Sequence, residues 1–250
     1  MSIFGALEAY HDDAARSAAM NMAIDEALLE MANIPSIRFY RWHSPALSFG
    51  YFGRFADVVD YAARRDLVRR WTGGGIVLHG DDLTYSIIVP RDDPVFAGSS
   101  MSIYENVHRA LCEALSVIAK HADLLAVAAP KAFGVGTIQD RSVHSPKITG
   151  REINATVTDR RYNDCFANPV RADVLVDGRK VAGAAHRRTR AGLLHQGSIQ
   201  QVDLVEDFAR HFAKELSEDC SERKIDNELS DRAKEIAEKK YATQAWLRRR

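Results

Sequence analysis

Residues 69–86 read RRWTGGGIVLHGDDLTYS. Three consecutive glycines at positions 73–75 separate two short apolar segments, residues 67–71 and residues 76–78, and a third apolar run spans residues 83–89. Short runs rich in apolar and β-branched residues and bounded by glycine are typical of strands joined by turns. The stretch therefore predicts consecutive short strands of a sheet.

Further strands are expected on both sides of this stretch. Residues 37–42 and 46–52 are aromatic-rich and flank His43-Ser44-Pro45, which predicts a hairpin. Residues 172–176 and 180–184 flank Asp177-Gly178, a dipeptide that favours a tight hairpin turn. Two more segments are assigned by pattern. They are a strand at residues 192–200 and a loop over residues 124–163.

Helical periodicity accounts for much of the remaining chain. It covers residues 14–32, 57–64, 101–121, 204–216 and 231–246. In the first helix, Asp25 and Glu26 are predicted to form a solvated face. The combined pattern predicts an α+β fold with a mostly antiparallel mixed sheet flanked by helices. We expect one main domain over residues 1–216 and a helical tail over residues 217–250.

Composition excludes several classes of function. The chain has 250 residues, of which 46% are hydrophobic, and its 34 basic and 34 acidic residues cancel to zero net charge. This balance argues against sequence-independent binding of nucleic acid. Cys112, Cys165 and Cys220 are an odd number without metal-ligand spacing, and no apolar run is long enough to cross a bilayer. We therefore expect a reduced cytoplasmic enzyme with no membrane or metal partner.

The glycine run could carry chemistry, because backbone without side chains lets a ligand approach main-chain N–H groups closely. Arg69 and Arg70 precede the run and His79 follows it, so an anionic or carbonyl-bearing ligand is one interpretation. A flexible turn is the other. His79 and His195 each follow a strand, and they either line one site or are inert.

Lys180 precedes a run of small residues in the segment GRKVAGAA, residues 178–185. Its ammonium could enter a dry place and hold a carboxylate, a phosphate or a developing oxyanion. The alternative is an exposed lysine in a hairpin. Cys165 lies in NDCFANP, where it could be a nucleophile or a small buried hydrophobe. Cys112 and Cys220 are predicted to have no chemical role.

Four segments in one order resemble a known superfamily. Their sequences are NMAIDEALL (residues 21–29), RFYRWHSPALSFGYF (residues 38–52), RRWTGGGIVLHGDDLTYS (residues 69–86) and GRKVAGAAHRRTRAGLLHQGSI (residues 178–199). Together they are similar to the lipoate-protein ligases and octanoyltransferases, over about residues 18–200. The resemblance implies the catalytic fold shared with biotin protein ligase. It also implies attachment of octanoyl or lipoyl groups to one lysine of a lipoyl carrier domain.

By this resemblance, Lys180 contacts the activated carbonyl or, in the ligases, the acyl-adenylate. The acyl pocket is formed by the glycine turn and its flanks. The implied substrate-binding residues are Arg70, Gly73, Gly74, Gly75, His79, Gly183 and Ala184. Relatives often have an acidic residue at the position of Gly80, Ser at that of Ala184, and Gln or Tyr at that of His186. These departures affect the expected acyl-chain choice and any contacts to an adenylate.

Two mechanisms use this scaffold. In one transferase branch, a cysteine takes octanoate from acyl carrier protein as a thioester and passes it to the lipoyl domain or the glycine cleavage H protein. The segment CFANPVRADVLVDGRK resembles that branch, with Cys165 as nucleophile and Lys180 as its electrostatic partner. This mechanism needs no cofactor. The alternative is an ATP-dependent ligase that works through lipoyl-AMP and requires ATP and Mg²⁺. Many bacterial ligases that resemble this chain carry a separate carboxy-terminal domain of around a hundred residues. Only about fifty residues follow Ile199, and this favours the transferase.

Overall fold

The computed structural model describes residues 2–123, 133–135, 172–176 and 179–249, without the side chains of residues 117–123 and 133–135. Within these residues the chain forms two sheets and five α-helices. The large-sheet strands are β1 (Leu7–Arg16), β2 (Ser36–Trp42), β6 (Leu83–Pro90), β7 (Phe133–Val135), β8 (Val174–Val176), β9 (Arg179–Arg188), β10 (Gly192–Ile199) and β11 (Cys220–Arg223). The small-sheet strands are β3 (Ala46–Phe49), β4 (Asp66–Arg69) and β5 (Ile76–His79). The helices are α1 (Ala18–Met31), α2 (Ser100–Asp123), α3 (Phe208–Leu216), α4 (Asn227–Ile236) and α5 (Gln244–Leu247).

The large sheet is mixed and mostly antiparallel. Its spatial order is β11-β1-β2-β6-β10-β9-β8-β7, and the pairs β1–β11 and β1–β2 are parallel. In the small sheet, β3 lies between a parallel β4 and an antiparallel β5. The predicted fold class, an α+β domain with a mostly antiparallel mixed sheet flanked by helices, is confirmed.

Helices cover both faces of the large sheet, because each face carries its own set of apolar side chains. On one face, Val107 and Leu111 of α2 and Phe212 of α3 pack into a core with strand residues. On the other face, the core contains Ile24 of α1 and Ala233 of α4. The large sheet therefore separates two cores, and a third, smaller cluster of Leu47, Phe49 and Val58 lies at the small sheet.

The predicted hairpin over residues 37–52 is wrong. β2 and β3 belong to different sheets, and His43-Ser44-Pro45 carries the chain between them. β2 is a central strand whose two edges are already hydrogen-bonded, to β1 and to β6. It therefore has no edge left for β3, which pairs with the strands that flank the glycine turn.

The first helix is shorter than predicted. Its expected first turn belongs instead to β1, whose Arg16 is in register with Trp42 of β2. Ser17 then caps α1, since its hydroxyl accepts a hydrogen bond from the backbone N–H of Met20 at 3.3 Å. The periodicity of small and apolar residues continues across this junction and does not mark the cap. Strands β1 and β11 were not predicted from the sequence.

Other boundaries also differ. Two 3₁₀ turns, at Phe55–Asp57 and Val59–Tyr61, replace the helix predicted for residues 57–64. Residues 133–135 form a strand where a loop was expected, and the rest of residues 124–163 lies outside the described part. β8 and β9 pair antiparallel as predicted, although Asp177 and Gly178 themselves lie outside the described residues.

The last predicted helix is interrupted. After α4, a π-helical turn spans Ala237–Tyr241, and Thr243 then caps α5 by accepting from the backbone N–H of Trp246 at 3.1 Å. Arg69 fixes this end of the chain, because its buried guanidinium donates to the carbonyl oxygens of Trp246, Leu247 and Arg249. Residues 217–249 thus contribute an edge strand and a helix packed on α1.

Candidate active site

A cavity lies where the small sheet meets the large sheet. It is lined by apolar, small and polar side chains from both sheets and from α1. These are Met22, Tyr40, Trp42, Ser48, Arg70, Gly74, Val77, His79, Thr84, Lys180, Gly183, Ala184, Ala185, Gln196, Gly197 and Ser198. Six of the predicted site residues are among them. Gly73 and Gly75 belong to the adjoining turn, and Cys165 lies outside the described residues.

The glycine turn is held by Arg70. Its guanidinium donates to the carbonyl oxygens of Gly73 at 3.1 Å and of Gly75 at 2.9 Å, and to Ser48 Oγ at 2.6 Å. Gly74 has a φ of +86°, a conformation that costs little only for glycine. The turn is therefore a fixed wall of the cavity. The sequence interpretation gave Arg70 an anionic or carbonyl-bearing ligand, whereas its contacts here are to carbonyl groups of the protein's own backbone.

His79 stands at the centre of a satisfied polar chain. Its Nδ1 lies 2.8 Å from Asp82 Oδ2 and its Nε2 lies 2.6 Å from Ser48 Oγ. Burial lowers the pKa of His79 despite the nearby carboxylate. A neutral ring donates from Nδ1 to Asp82 and accepts the hydroxyl of Ser48, and it stacks on Trp42 with centroids 4.0 Å apart. This series of hydrogen bonds links the Asp82 carboxylate to Arg70, and Arg70 holds the glycine turn.

Asp82 closes this chain with a full set of donors. Burial alone would raise its pKa, but hydrogen bonds from His79, Ser198 and the backbone of Gly80 lower the pKa below the ordinary value. The hydroxyl of Thr84 also donates to it, at 2.9 Å. The carboxylate is therefore charged at neutral pH and holds one wall of the cavity in place.

His195 does not share a site with His79. Its ring is fully buried on the opposite face of β10, with centroids 5.8 Å from Tyr85, 5.6 Å from Tyr104 and 5.8 Å from His108. Side chains alternate across a strand, so the cavity receives Gln196 instead. The interpretation in which both histidines line one site is wrong.

Lys180 reaches the cavity because of an irregularity in β9. Val174 of β8 is in register with Ala182 and Leu175 with Lys180, so two steps along β9 oppose one step along β8. Such a bulge re-aims the side chains on either side of it. The lysine consequently lies across Gly183, where an added Cβ would be 2.6 Å from Nζ. Lys180 is buried rather than an exposed hairpin residue.

The Lys180 ammonium is paired with a residue that sequence reasoning missed. Asp173 Oδ2 lies 2.8 Å from Nζ, and the two side chains are 0% and 5% exposed, respectively. Asp173 in turn accepts a hydrogen bond from the hydroxyl of Tyr104 at 2.7 Å. An acidic residue at the start of a strand, seven residues before the lysine, was the available signal.

The prediction that Asp25 and Glu26 form a solvated face is wrong. Asp25 is fully buried and accepts from Arg38 at 2.8 Å, from Ser86 at 2.8 Å and from Gln196 at 2.7 Å. Gln196 Oε1 then accepts the hydroxyl of Thr72, the residue before the glycine turn, at 2.8 Å. Asp25 therefore supports the turn from α1, through the side chain of Gln196. Its place between Ile24 and Leu28, on the apolar stripe, was the signal.

Glu26 has a structural partner as well. Its Oε2 accepts from Tyr241 and from Lys240, each at 2.5 Å. Burial lowers the pKa of Lys240, and burial followed by the charge of Glu26 raises the pKa of Tyr241 well above its ordinary value. These bonds join α1 to the π-helical turn. The carboxylate is thus part of the interface between α1 and the last fifth of the chain.

Neither of the two described cysteines is placed for catalysis. Cys112 is buried in α2, where burial raises its pKa to about 11. Cys220 is half-buried on β11, and burial followed by nearby carboxylates raises its pKa. Both thiols are therefore protonated at neutral pH. No helix in the described ranges is long and apolar enough to cross a membrane.

Comparison with known protein families gives the class of this domain. Residues 17–240 match the family model of the lipoyl protein ligase A/B catalytic domain. Because the match covers most of the chain, the chain belongs to this family. It is an acyltransferase of the lipoate-protein ligase superfamily, as the sequence motifs indicate.

The names of similar proteins specify the acyl group that those proteins transfer. The chain is 31% identical over 226 residues to the octanoyltransferase LipM of Oceanobacillus iheyensis, covering 86% of this chain and 72% of that protein. It is 34% identical over 243 residues to the octanoyltransferase LipM of Anoxybacillus flavithermus, covering 90% of this chain and 80% of that protein.

Solved structures agree on the fold. A lipoate-protein ligase A bound with ATP superposes with a TM-score of 0.65 at 20% identity, covering 99% of this chain and 98% of that one. A bipartite lipoate protein ligase from Thermoplasma acidophilum, described with its E2 lipoyl domain, has a TM-score of 0.63 at 20% identity, covering 98% and 96%. At this identity the likeness shows the fold alone.

Proposed function

We propose that the chain transfers an octanoyl group from acyl carrier protein to the lysine of a lipoyl carrier domain, through a thioester on Cys165. The acceptor is a lipoyl domain or the glycine cleavage H protein. The observation that carries the proposal is the similarity to octanoyltransferases LipM over 86–90% of the chain. A buried lysine at the edge of a cavity supports it.

Two acyl transfers make up the reaction. In the first, the Cys165 thiolate attacks the octanoyl carbonyl, a new C–S bond forms, and the carrier leaves as a thiol after taking a proton. In the second, the neutral amine of the acceptor lysine attacks the octanoyl-cysteine. An amide forms, the Cys165 thiolate leaves, and the amine loses one proton to solvent. Each step passes through a tetrahedral oxyanion, which needs a nearby positive charge.

Lys180 is suited to supply that charge. Its ammonium lies beside the cavity with 5% of its side chain exposed, where little water screens it. A cation in this position favours the cysteine thiolate and the oxyanion in both steps. Lys180 is thus proposed as the electrostatic partner of Cys165.

The cavity suits an alkyl chain. Met22, Trp42 and Val77 supply apolar surface. Gly183 and Ala184 are small residues, so the part of the cavity wall next to Lys180 is not covered by bulky groups. Sites for small apolar ligands are predominantly apolar with a few polar groups that fix orientation. Arg70, His79 and the glycine turn then act on the substrate by giving the cavity a fixed shape.

The proposed reaction needs no nucleotide, because the thioester donor is already activated and its exchange with a cysteine is nearly balanced in energy. It also requires a free thiol, which fits a reducing cytoplasm. The rival function is an ATP-dependent lipoate-protein ligase. We expect no pyrophosphate release when the protein is incubated with lipoate, ATP, Mg²⁺ and a lipoyl domain. Rapid release together with lipoyl-AMP would establish the ligase instead.

Intact-protein mass spectrometry tests the proposal directly. After exposure to octanoyl acyl carrier protein, the wild-type chain should gain one octanoyl group that is released by hydroxylamine. Cys165→Ala should gain none, while the matched variants Cys112→Ala and Cys220→Ala should retain the adduct. Equal adduct formation in all three variants would remove Cys165 from the mechanism.

A further inference from the structure

We propose that Asp173, supported by Tyr104, is a positioning residue that holds the Lys180 ammonium at the edge of the cavity. This inference rests on the proposed function, in which that ammonium meets the charge formed during acyl transfer. It adds two residues to the machinery, one directly before β8 and one from α2, and neither lines the cavity.

Lysine needs such a partner because its side chain is long and flexible. Its four-carbon stem carries about 2 kcal/mol of rotamer entropy, so the ammonium of a free lysine occupies many positions. Asp173 Oδ2 fixes it at 2.8 Å, and both side chains are withdrawn from solvent. The carboxylate therefore selects one position of Nζ from the many available.

Asp173 is itself fixed, through its other oxygen. The Tyr104 hydroxyl donates to Oδ1 at 2.7 Å and accepts the backbone N–H of Ala184 at 3.2 Å. Burial, followed by the charge of Asp173, raises the pKa of Tyr104, so the hydroxyl keeps its proton and remains a donor. The hydroxyl also ties α2 to the strand that carries Lys180.

The backbone of β9 provides the path for the lysine. The register between β8 and β9 shifts between Val174 and Leu175, which marks a bulge in β9. Because of this bulge, the Lys180 side chain lies on the same face of the sheet as Gly183. An added Cβ at Gly183 would come within 2.6 Å of Nζ and 3.1 Å of Asp173 Oδ1. The pair therefore occupies the space that a side chain at this position would take.

A structural role alone accounts poorly for this arrangement. Removing two charges from water costs several kcal/mol per ion, so a buried pair adds little net stability compared with apolar residues of the same volume. What the pair provides is a defined position for a cation beside the cavity. A displacement of about 1 Å in such a group can change a rate about 100-fold.

The test compares single variants by rate and by stability. Asp173→Asn keeps the shape but removes the charge, and we expect kcat for octanoyl transfer to fall about 100-fold with KM for the donor unchanged. Asp173→Glu should recover part of the rate, because it restores the charge. Tyr104→Phe should lower kcat about tenfold, the equivalent of one hydrogen bond. Glu26→Gln is the control, since Glu26 is a buried ion-pair residue that binds Lys240 and not Lys180. It should lower the free energy of unfolding and leave kcat unchanged.

Double variants distinguish positioning from structural support. In a Lys180→Met background, Asp173→Asn and Tyr104→Phe should each lower the residual rate less than about twofold, since residues that act through one group are not additive. Full additivity, or a wild-type rate in Asp173→Asn, would overturn the inference while leaving the proposed function standing. If Lys180→Met itself kept the wild-type rate, the role of Lys180 in the proposed function would be lost. Should Asp173→Asn fail to fold, Tyr104→Phe in the two backgrounds gives the same decision.

Discussion

The two faces of β10 differ in how they treat buried polar groups. Gln196 and Ser198 point toward the cavity and both have partners, Asp25 and Asp82 respectively. His195 points toward α2 and its Nδ1 has no hydrogen-bond partner among the described residues. The same strand thus has a fully bonded polar face and an incompletely bonded one.

The difference teaches where this molecule needs fixed geometry. On the cavity face, carboxylates receive several donors each, and those donors lead to the glycine turn. On the α2 face, neighbouring imidazole rings stay neutral, because burial lowers the pKa of His108 to about 4 and that of His195 well below the ordinary value. Charge is retained beside the cavity and excluded behind it.

The largest expected effect comes from breaking the cavity face at Asp25. Asp25→Ala removes the acceptor for Arg38, Ser86 and Gln196 and leaves a fully buried guanidinium with less compensation. We expect the free energy of unfolding to fall by about 3–5 kcal/mol, measured by urea denaturation. The exposed ion-pair variant Asp231→Ala should change it by less than about 0.5 kcal/mol. Similar losses in both would contradict the buried network.

Gly183→Ala, on the cavity face of the sheet, should lower the rate of octanoyl transfer without unfolding the protein. The new Cβ would meet Lys180 Nζ at 2.6 Å, so the ammonium must leave its position. We expect octanoyl transfer to slow about 100-fold while the protein stays folded. Gly5→Ala is the matched control, because an added Cβ there meets nothing within 4 Å. Unchanged kinetics in Gly183→Ala would show that the site does not depend on this clearance.

Acidification should act on the opposite face. The pKa of His108 in the folded protein is about 4, below its ordinary 6.5, so the unfolded state binds the proton first as pH falls. Its contribution to stability is therefore complete above pH 6.5 and is lost progressively toward pH 4. Between pH 7.5 and pH 5 we expect a loss of about 2 kcal/mol from this residue.

Denaturation at several pH values checks this expectation. His108→Gln cannot take up the proton, so its stability should change less steeply between pH 7.5 and pH 5 than that of the wild type. His43→Gln is a control at an exposed histidine and should keep the wild-type slope. Identical slopes in all three proteins would show that His108 does not cause the acid sensitivity.

The smallest change in stability is expected at Thr72, which links the hydrogen bonds around Asp25 to the glycine turn. Thr72→Val removes the donor to Gln196 Oε1 and leaves a buried amide oxygen unpaired. We expect a loss of about 1 kcal/mol in the free energy of unfolding. Thr72→Ser keeps the hydroxyl and should lose less, and equal losses in the two variants would assign the effect to the methyl group instead.

Much of the fold could be predicted from the sequence, because the responsible patterns are local. The helix over residues 101–121, the strand over residues 83–89 and the glycine turn all have a period or a punctuation that one window reveals. β1 and β11 were not predicted, because each forms by pairing with a strand that is distant in the sequence. The hairpin over residues 37–52 was wrong because only the sheet decides which edges of β2 are occupied.

The site divides in the same way. Motifs drew attention to Lys180, to the glycine turn and to His79, and the structure brings Lys180, Gly74 and His79 to one cavity. Asp25 and Asp173 lie inside the quoted segments NMAIDEALL and CFANPVRADVLVDGRK, but their burial depends on partners elsewhere in the chain, such as Gln196 for Asp25 and Tyr104 for Asp173. The hydrogen bond from Gln196 to Asp25, for example, joins residues 171 positions apart.

By itself, the sequence determined the class of fold, the family and the residues whose chemistry stands out, because side-chain period and short motifs are properties of neighbouring residues. Only the tertiary structure decided which carboxylates are buried, which face of β10 each polar side chain serves and what holds the lysine. The physical reason is that the cost of a buried charge depends on its complete set of partners, and folding brings these together from distant parts of the chain.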